Sequence, residues 1–482
     1  MDLIAAVTPE WVIVAFALAV ILLDLFVREK GLLMAVSLFG LVIAGVYAVV
    51  FFNVTEGFNE MLAVDGFALF FKLLFLGTAF LVILASKDYV RKLGDAVGEY
   101  YVLILLATLG MMLMAAASEL ITVYIALELT SISLYILVGL LKDEKSTESA
   151  LKYLLLGAVA SAVLLYGMAL VYGFTGQTQL SEIANTLRAM PPAAVTANPA
   201  LLLGIVMLVA GFGFKIASVP FQLWVPDVYE GAPTTITAFL SVGSKAAGFA
   251  VIMRVFFSAF GLPTLGTEWG LIFAVLAILS MIVGNVAAIP QTNIKRMLGY
   301  SSIAQAGYLM VGLATMGFAA GSSAIDGQSG IMFFLASYAL TNLGAFIAII
   351  AITNALNSDN ISDFAGMGKR APVLALALTL CLISLVGMPP AAGFMAKFYI
   401  FRGAIYEGLL WLVIIAVINS VISAYYYLRV VKVMWFNPVP SEDKVPSSVA
   451  LKVSLAIACL GVLAFGLVPS VLIQAAQRAA GF

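Results

Sequence analysis

The sequence predicts an all-α polytopic membrane protein of about fourteen transmembrane helices, built on inverted five-helix repeats with two discontinuous helices. Three observations carry that reading. The 482 residues are 63% hydrophobic and only 10% charged, where ordinary soluble domains are about 25% charged. Mean hydropathy is +1.12. Apolar runs of about 20 residues, the length that crosses a hydrocarbon core of ~30 Å, recur between short polar breaks.

In chain order the predicted spans are 10–27, 31–53, 66–86, 100–117, 120–140, 150–174, 200–221, 235–259, 269–289, 295–317, 328–354, 371–405, 409–435 and 449–475. The first follows an acidic start (Asp2, Glu10) with no small-residue cleavage site after it, so it reads as a retained span and not as a signal peptide. The longest polar break carries Gln179 to Met190, where Leu180, Ile183 and Leu187 share one helical face and predict a short surface helix. Pro438 to Ser448 is a polar connector. No soluble domain fits anywhere, and the chain divides into N-terminal helices (1–99), a first repeat (100–260), a second repeat (269–435) and a C-terminal helix (449–482).

The breaks alternate in charge. Basic ones carry Arg28 and Lys30; Lys87, Arg91 and Lys92; Lys142 and Lys145; Lys295 and Arg296; Lys369 and Arg370; Lys432 and Lys444, and are predicted to be cytoplasmic. The others carry Glu56, Glu60 and Asp65; Ser118 and Glu119; 175–199; Glu268; Asp326; Glu407. An even number of spans then puts both termini outside the cytoplasm, in a plasma or cell inner membrane. The net charge of -1 argues against nucleic-acid binding.

Two spans are interrupted. Gly211 to Lys215 leads into Pro220 and Pro226, and Gly387, Pro389, Pro390 and Gly393 lead into Lys397. Proline removes a backbone donor and clashes with the preceding turn, so these helices should unwind around an internal polar cavity. Paired breaks in corresponding positions of two halves suggest inverted repeats and mark a transport path.

The chemistry available is narrow. There is no histidine, and the two cysteines, Cys381 and Cys459, are far apart in sequence, so haem, zinc and iron-sulfur sites lack ligands and redox chemistry falls to partners. What stands out is Lys215, Lys245 and Lys397 inside apolar runs, with Glu128 the carboxylate deep in another. A charge at the bilayer centre costs roughly 2.5–3.5 kcal/mol, so such groups usually face a polar interior and mark proton or ion pathways. Glu128 hydrogen-bonded to Ser131 or Ser133, and lysines bound to the carbonyls of broken helices, are the structural alternatives. If Glu128 instead lies about 7 Å from Lys215, the attraction is roughly 2.4 kcal/mol at an effective dielectric near 20. Lys245 and Lys397 can then receive a proton through water.

Lys152 near the cytoplasmic end of its span fits proton uptake or interface anchoring. Lys72 and Arg254 can snorkel, and Arg254 can support packing. Tyr124, Tyr135, Trp224, Tyr300 and Trp435 read as interface or core residues, and Asn285, Ser301 and Ser302 as water holders.

At Tyr124-Ile-Ala-Leu-Glu128-Leu, Glu148 to Gly157 (ESALKYLLLG), Pro220 to Lys245 (PFQLWVPDVYEGAPTTITAFLSVGSK), Gln291 to Tyr308 (QTNIKRMLGYSSIAQAGY) and Gly387 to Tyr399, the chain resembles the proton-translocating, antiporter-like subunits of respiratory complex I, most closely the subunit N group. The resemblance implies a fourteen-helix fold in which Glu128 and Lys215 form a control pair, Lys245 the central relay and Lys397 the terminal lysine. A lysine and not a glutamate at that last position separates subunit N from subunit M. It further implies a non-redox translocase subunit, with NADH, FMN, iron-sulfur clusters and quinone bound by partner subunits and no cofactor in this chain. The expected partners are M-like, L-like, K-like and J-like membrane subunits and the lipid bilayer. The family often carries histidine where this chain has Gln222 and Gln305, and glutamine carries no proton near neutrality. A subunit of a multi-chain sodium/proton antiporter, from the same superfamily, and a scaffold whose charges only lock helices are the competing readings.

Overall fold

The computed structural model describes residues 7–27, 29–52, 61–319, 323–438 and 444–480; Asp2, Arg28, Glu56 and Glu60, whose charges enter the predicted topology, lie outside them. The order is α1 (Thr8–Phe26), α2 (Lys30–Val50), α3 (Gly66–Ala85), α4 (Val97–Ala116), α5 (Leu120–Val138), α6 (Glu144–Thr175), α7 (Leu180–Ala189), α8 (Pro199–Ile216), α9 (Trp224–Gly231), α10 (Thr234–Ser258, through a π-helical turn at Leu240–Ser244) and α11 (Pro263–Ala288). There follow α12 (Ile294–Phe318), α13 (Ser323–Leu356), α14 (Pro372–Val386), α15 (Ala392–Tyr406), α16 (Leu410–Phe436), α17 (Val449–Leu467) and α18 (Ser470–Ala479).

Helix starts follow the capping chemistry in the sequence. Asp65 and Asp143 accept the backbone N–H of Ala68 and Ser146, each at 2.7 Å, and Asn198, Asn293 and Ser448 cap α8, α12 and α17. Among the described residues, twelve helices are long and apolar enough to cross a membrane. Neither α12 nor the predicted span 371–405 is one of them. α12 has the length but carries Lys295, Arg296, Ser301, Ser302 and Gln305, and 371–405 is two 15-residue helices parted at Gly387 to Ala391. The predicted span 449–475 also ends early: Pro469 follows Leu467 closely and cannot continue the helix, so α18 is a separate amphipathic helix burying Leu472, Ile473 and Ala476. The surface helix expected near Gln179 is α7, with Leu180, Ile183 and Leu187 buried.

Layering follows composition. α1 and α2 turn leucine, valine and phenylalanine side chains outward, whereas every residue from Thr234 to Phe256 of α10 is buried. In lipid the hydrophobic effect does not drive helices together, so the polar α12 and the lysine-bearing α10 are forced inside by the cost of exposing polar groups.

The breaks gather in two sets. Lys145, Lys152, Asp227, Glu230 and Arg296 form one ionic cluster, and Lys295 reaches Asp359 at 3.1 Å beside the Asn293–Asn360 bridge. The other set joins Leu62 to Ala117, Glu119 to Gln179, and Asp65 to Arg254. The first set holds breaks that the sequence reads as basic (Lys145, Lys295, Arg296), the second breaks that it reads as acidic or neutral (Asp65, Glu119). Cys381 on α14 and Cys459 on α17, remote in sequence, are neighbouring free thiols.

Candidate functional site

Both predicted breaks form, and each presents a lysine. α8 stops at Ile216 because Ala217 turns left-handed (φ +62°), and the Trp224 indole donates back to the Phe214 carbonyl at 3.0 Å. α14 stops at Val386, where Gly387 has φ +91°, a conformation that favours glycine; a Cβ there would lie 2.9 Å from Cδ of Lys397. A third irregularity was not predicted. The π-helical turn Leu240–Ser244 immediately precedes Lys245, and such bulges collect at functional sites.

The three lysines are 8%, 3% and 5% exposed in chain order. Lys215 donates to Ser131 Oγ, which itself bonds the Leu127 carbonyl, and its Nζ lies 5.7 Å from the ring centroids of both Tyr135 and Phe214. Glu128, half-buried, accepts from Ser161 and not from Ser131 or Ser133, and lies within electrostatic reach of Lys215 without a direct ion pair. The structural alternative therefore named the wrong serines: Ser131 serves the lysine, and Ser133 bonds the Leu129 carbonyl.

Lys245 donates to the Ser302 carbonyl and, at 2.5 Å, to Ser302 Oγ. Tyr229 and Tyr338 meet the same hydroxyl at 3.1 and 3.2 Å. Tyr153 contacts residues beside Lys215 and beside Lys245. It stacks on Trp224 at 4.4 Å, lies edge-on to Tyr135 at 4.6 Å, and is within polar reach of Ser244.

Lys397 donates to the Val386 carbonyl (2.8 Å), the Leu385 carbonyl (3.3 Å) and Ser420 Oγ (2.7 Å), 4.3 Å from the Tyr308 ring centroid. With Ser420 it borders an apolar cavity of about 620 Å³ between α15 and α16. Gln305 donates to the Leu385 carbonyl at 3.0 Å and to Tyr427 at 3.4 Å, and Ser301 also bonds Tyr427. The buried Gln222 Oε1 has no hydrogen-bond partner among the described residues.

Among the described residues none of the three lysines makes an ion pair within 4.0 Å, unlike the other buried cations. Lys72 pairs with Glu10 at 2.7 Å and does not snorkel; Arg254 pairs with Asp65 at 2.5 Å and donates to the Ala115 carbonyl at 3.1 and 2.8 Å. Lys152 is bonded to Glu148 and Asp227, each at 2.8 Å, on a polar basin of about 190 Å³. Burial alone would raise the Asp227 carboxyl, but the hydrogen bonds from Lys152 and Arg296 outweigh it and hold the group below its ordinary range. Asn285, expected to hold water, is engaged by Asn419, Tyr308 and Tyr426.

Sequence reasoning missed Ser161, Tyr427 and the Asp227 hub. Only Asp227 carried a signal, an acid inside the first broken segment. Among the described residues no group of three or more histidines, cysteines or carboxylates is placed to hold a metal ion.

Residues 117–423 match the profile of the family described as NADH:quinone oxidoreductase/Mrp antiporter, transmembrane. The chain is 49% identical over 476 residues to NADH-quinone oxidoreductase subunit N of Dehalococcoides mccartyi, covering 98% of each, and 45% identical to that of Trichlorobacter lovleyi, covering 98% and 96%. Among solved structures, a chain of respiratory complex I from Thermus thermophilus with bound aureothin superposes with a TM-score of 0.81 at 32% identity, over 98% of this chain and 100% of that one. A chain of the Mrp complex from Dietzia sp. superposes with a TM-score of 0.84 over 99% of this chain and 97% of that one, but at 18% identity it shares the fold alone. Sequence and fold together place the chain in the NADH:quinone oxidoreductase/Mrp antiporter transmembrane family, among the subunit N proteins.

Proposed function

We propose that this chain is a non-redox membrane-arm subunit of a proton-translocating NADH-quinone oxidoreductase, and that Glu128, Lys215, Lys245 and Lys397 move protons when quinone reduction in a partner subunit disturbs their charges. One observation carries the reading: three lysines buried in the membrane interior, each beside a break or bulge, are held by neutral oxygens and not by carboxylates. An ammonium so held can release its proton without stranding a buried counter-charge, which an ion-paired lysine cannot do.

Glu128 acts on Lys215 through space, Lys245 relays, and Lys397 ends the path in this chain. Lys152, in its cluster with Asp227, stands at the cytoplasmic mouth. Fourteen spans are reached by counting α12 and the α14–α15 pair. Residues 100–260 and 269–435 are the inverted repeats, between the N-terminal helices 1–99 and the C-terminal segment 449–482. Both termini lie outside the cytoplasm of a plasma or cell inner membrane. NADH, FMN, iron-sulfur clusters and quinone belong to partner subunits, and M-like, L-like, K-like and J-like subunits are the neighbours.

The test is made on assembled enzyme in sealed vesicles. Lys215→Met and Glu128→Ala should each depress both quinone reduction and coupled proton uptake. Wild-type uptake in both variants would overturn the reading.

A further inference from the structure

The lysine path has a seam between Lys245 and Lys397. Ser302 Oγ receives Lys245 and meets both Tyr229 and Tyr338, which fills the one donor and two acceptor positions of a hydroxyl. Through that oxygen a proton released by Lys245 can pass to Tyr229 or Tyr338, but not directly to any further group. On the far side, Lys397 rests on carbonyls and Ser420, and Gln305 is tied to the Leu385 carbonyl. An amide holds its place in a hydrogen-bond network but carries no proton near neutrality.

One group spans the seam. The Tyr427 hydroxyl bonds Ser301, the chain neighbour of Ser302 on the Lys245 side, and accepts at 3.4 Å from Gln305, whose amide shares the Leu385 carbonyl with Lys397. Tyr427 is 0% exposed.

We propose that the Tyr427 hydroxyl is the connector through which protons cross between the Lys245 and Lys397 halves of the path, with Gln305 as the positioning residue that aims it. This rests on the lysine path proposed above. In the step, a proton arriving from the Lys245 side bonds a lone pair of Tyr427 Oη while the phenolic O–H proton leaves toward water at Lys397. One O–H bond forms as one breaks, and the phenol ends neutral. Rotation of the hydroxyl back toward Ser301 resets it, so the connector passes one proton per reset and no continuous wire joins the two lysines.

Tyr100 on α4, also buried, gives the internal control, because its hydroxyl bonds Ser86 at 2.6 Å, away from the three lysines. Four variants of the assembled enzyme, Tyr427→Phe, Tyr100→Phe, Lys245→Met and Lys397→Met, are compared in sealed vesicles for subunit content, quinone reduction and proton uptake in H2O and D2O. The expected result is that Tyr427→Phe loses proton uptake at least fivefold with normal subunit content and a changed solvent isotope effect, while Tyr100→Phe stays within twofold of wild type. Uptake within twofold of wild type in Tyr427→Phe, or equal losses in both tyrosine variants, overturns the connector. If Lys245→Met and Lys397→Met are impaired in that case, the lysine path stands without it; if both pump normally, the path itself fails. Should Tyr427→Phe not assemble, Ser301→Ala, which removes the resetting partner and keeps the phenol, is read against the same limits.

Discussion

Gln305 and Lys397 converge on one oxygen: the amide donates to the Leu385 carbonyl at 3.0 Å and the ammonium to the same atom at 3.3 Å. That carbonyl is free because α14 ends one residue later, where the break leaves the last acceptors of the helix without intrahelical partners. A titratable donor and a fixed one thus share a site made by the discontinuity.

Replacing Gln305 by glutamate puts a carboxylate where the amide was. At about 4 Å and an effective dielectric near 20 the attraction to Lys397 is about 4 kcal/mol, enough to slow proton release more than tenfold. Gln305→Glu should therefore assemble but lose at least tenfold in coupled proton uptake, measured by dye quenching in vesicles. Gln305→Leu should be milder. Equal uptake in Gln305→Glu and wild type would show that proton release from Lys397 does not limit turnover.

Gly157 fixes the ring beneath Lys215. A Cβ at this position would stand 1.9 Å from the Tyr135 hydroxyl, and the Tyr135 ring centroid is 5.7 Å from Lys215 Nζ. Gly157→Ala must push the ring aside, at about 1–3 kcal/mol for overpacking. The expected outcome is a lower melting temperature of the assembled membrane arm together with slower proton uptake. Tyr135→Ala in the same background should restore the melting temperature but not the uptake.

Which of these features could be read from the chain follows from what is local. A lysine in an apolar run and a proline after a glycine announce themselves within one span, so Lys215, Lys245, Lys397 and both breaks were legible. Glu128 was legible for the same reason. Its partner was not, because Ser161 is contributed by the next helix, 33 residues along the chain. Tyr427 looked like any tyrosine of an apolar helix, and its meaning arises only where α12, α14 and α16 meet. The π-helical turn before Lys245 leaves no mark in composition, since its residues LSVGS suit an α-helix poorly but forbid nothing. The end of α17 was misjudged by weighing the apolar run above Pro469.

Asp227 sets a pH limit on the ionic cluster around Lys152. Its folded carboxyl titrates below its ordinary range because Lys152 and Arg296 bind it. A carboxyl depressed on folding stabilises the structure above its ordinary value and loses that contribution as pH falls through the folded one, so the window lies below about pH 4. Infrared difference spectra between wild type and Asp227→Asn should show a protonated-carboxyl band only below that pH. The pH profile of proton uptake between about pH 6 and 8 should be the same shape in both. A band near pH 6 would make Asp227 a proton carrier and not an anchor.

Glu10 and Lys72 join the lipid-facing first helix to α3 through an ion pair at 2.7 Å, both side chains 7% exposed. Removing one partner leaves the other charge buried without compensation, at about 3–5 kcal/mol, whereas removing both can be nearly neutral. Lys72→Met alone should therefore lower the yield and melting temperature of the assembled membrane arm, and Glu10→Gln alone should do the same. The double variant should recover most of the loss in both measurements. Because the pair lies outside the proposed lysine path, proton uptake per assembled enzyme should remain near wild type in the double variant. A double variant that assembles well but does not pump would instead make the pair part of the route.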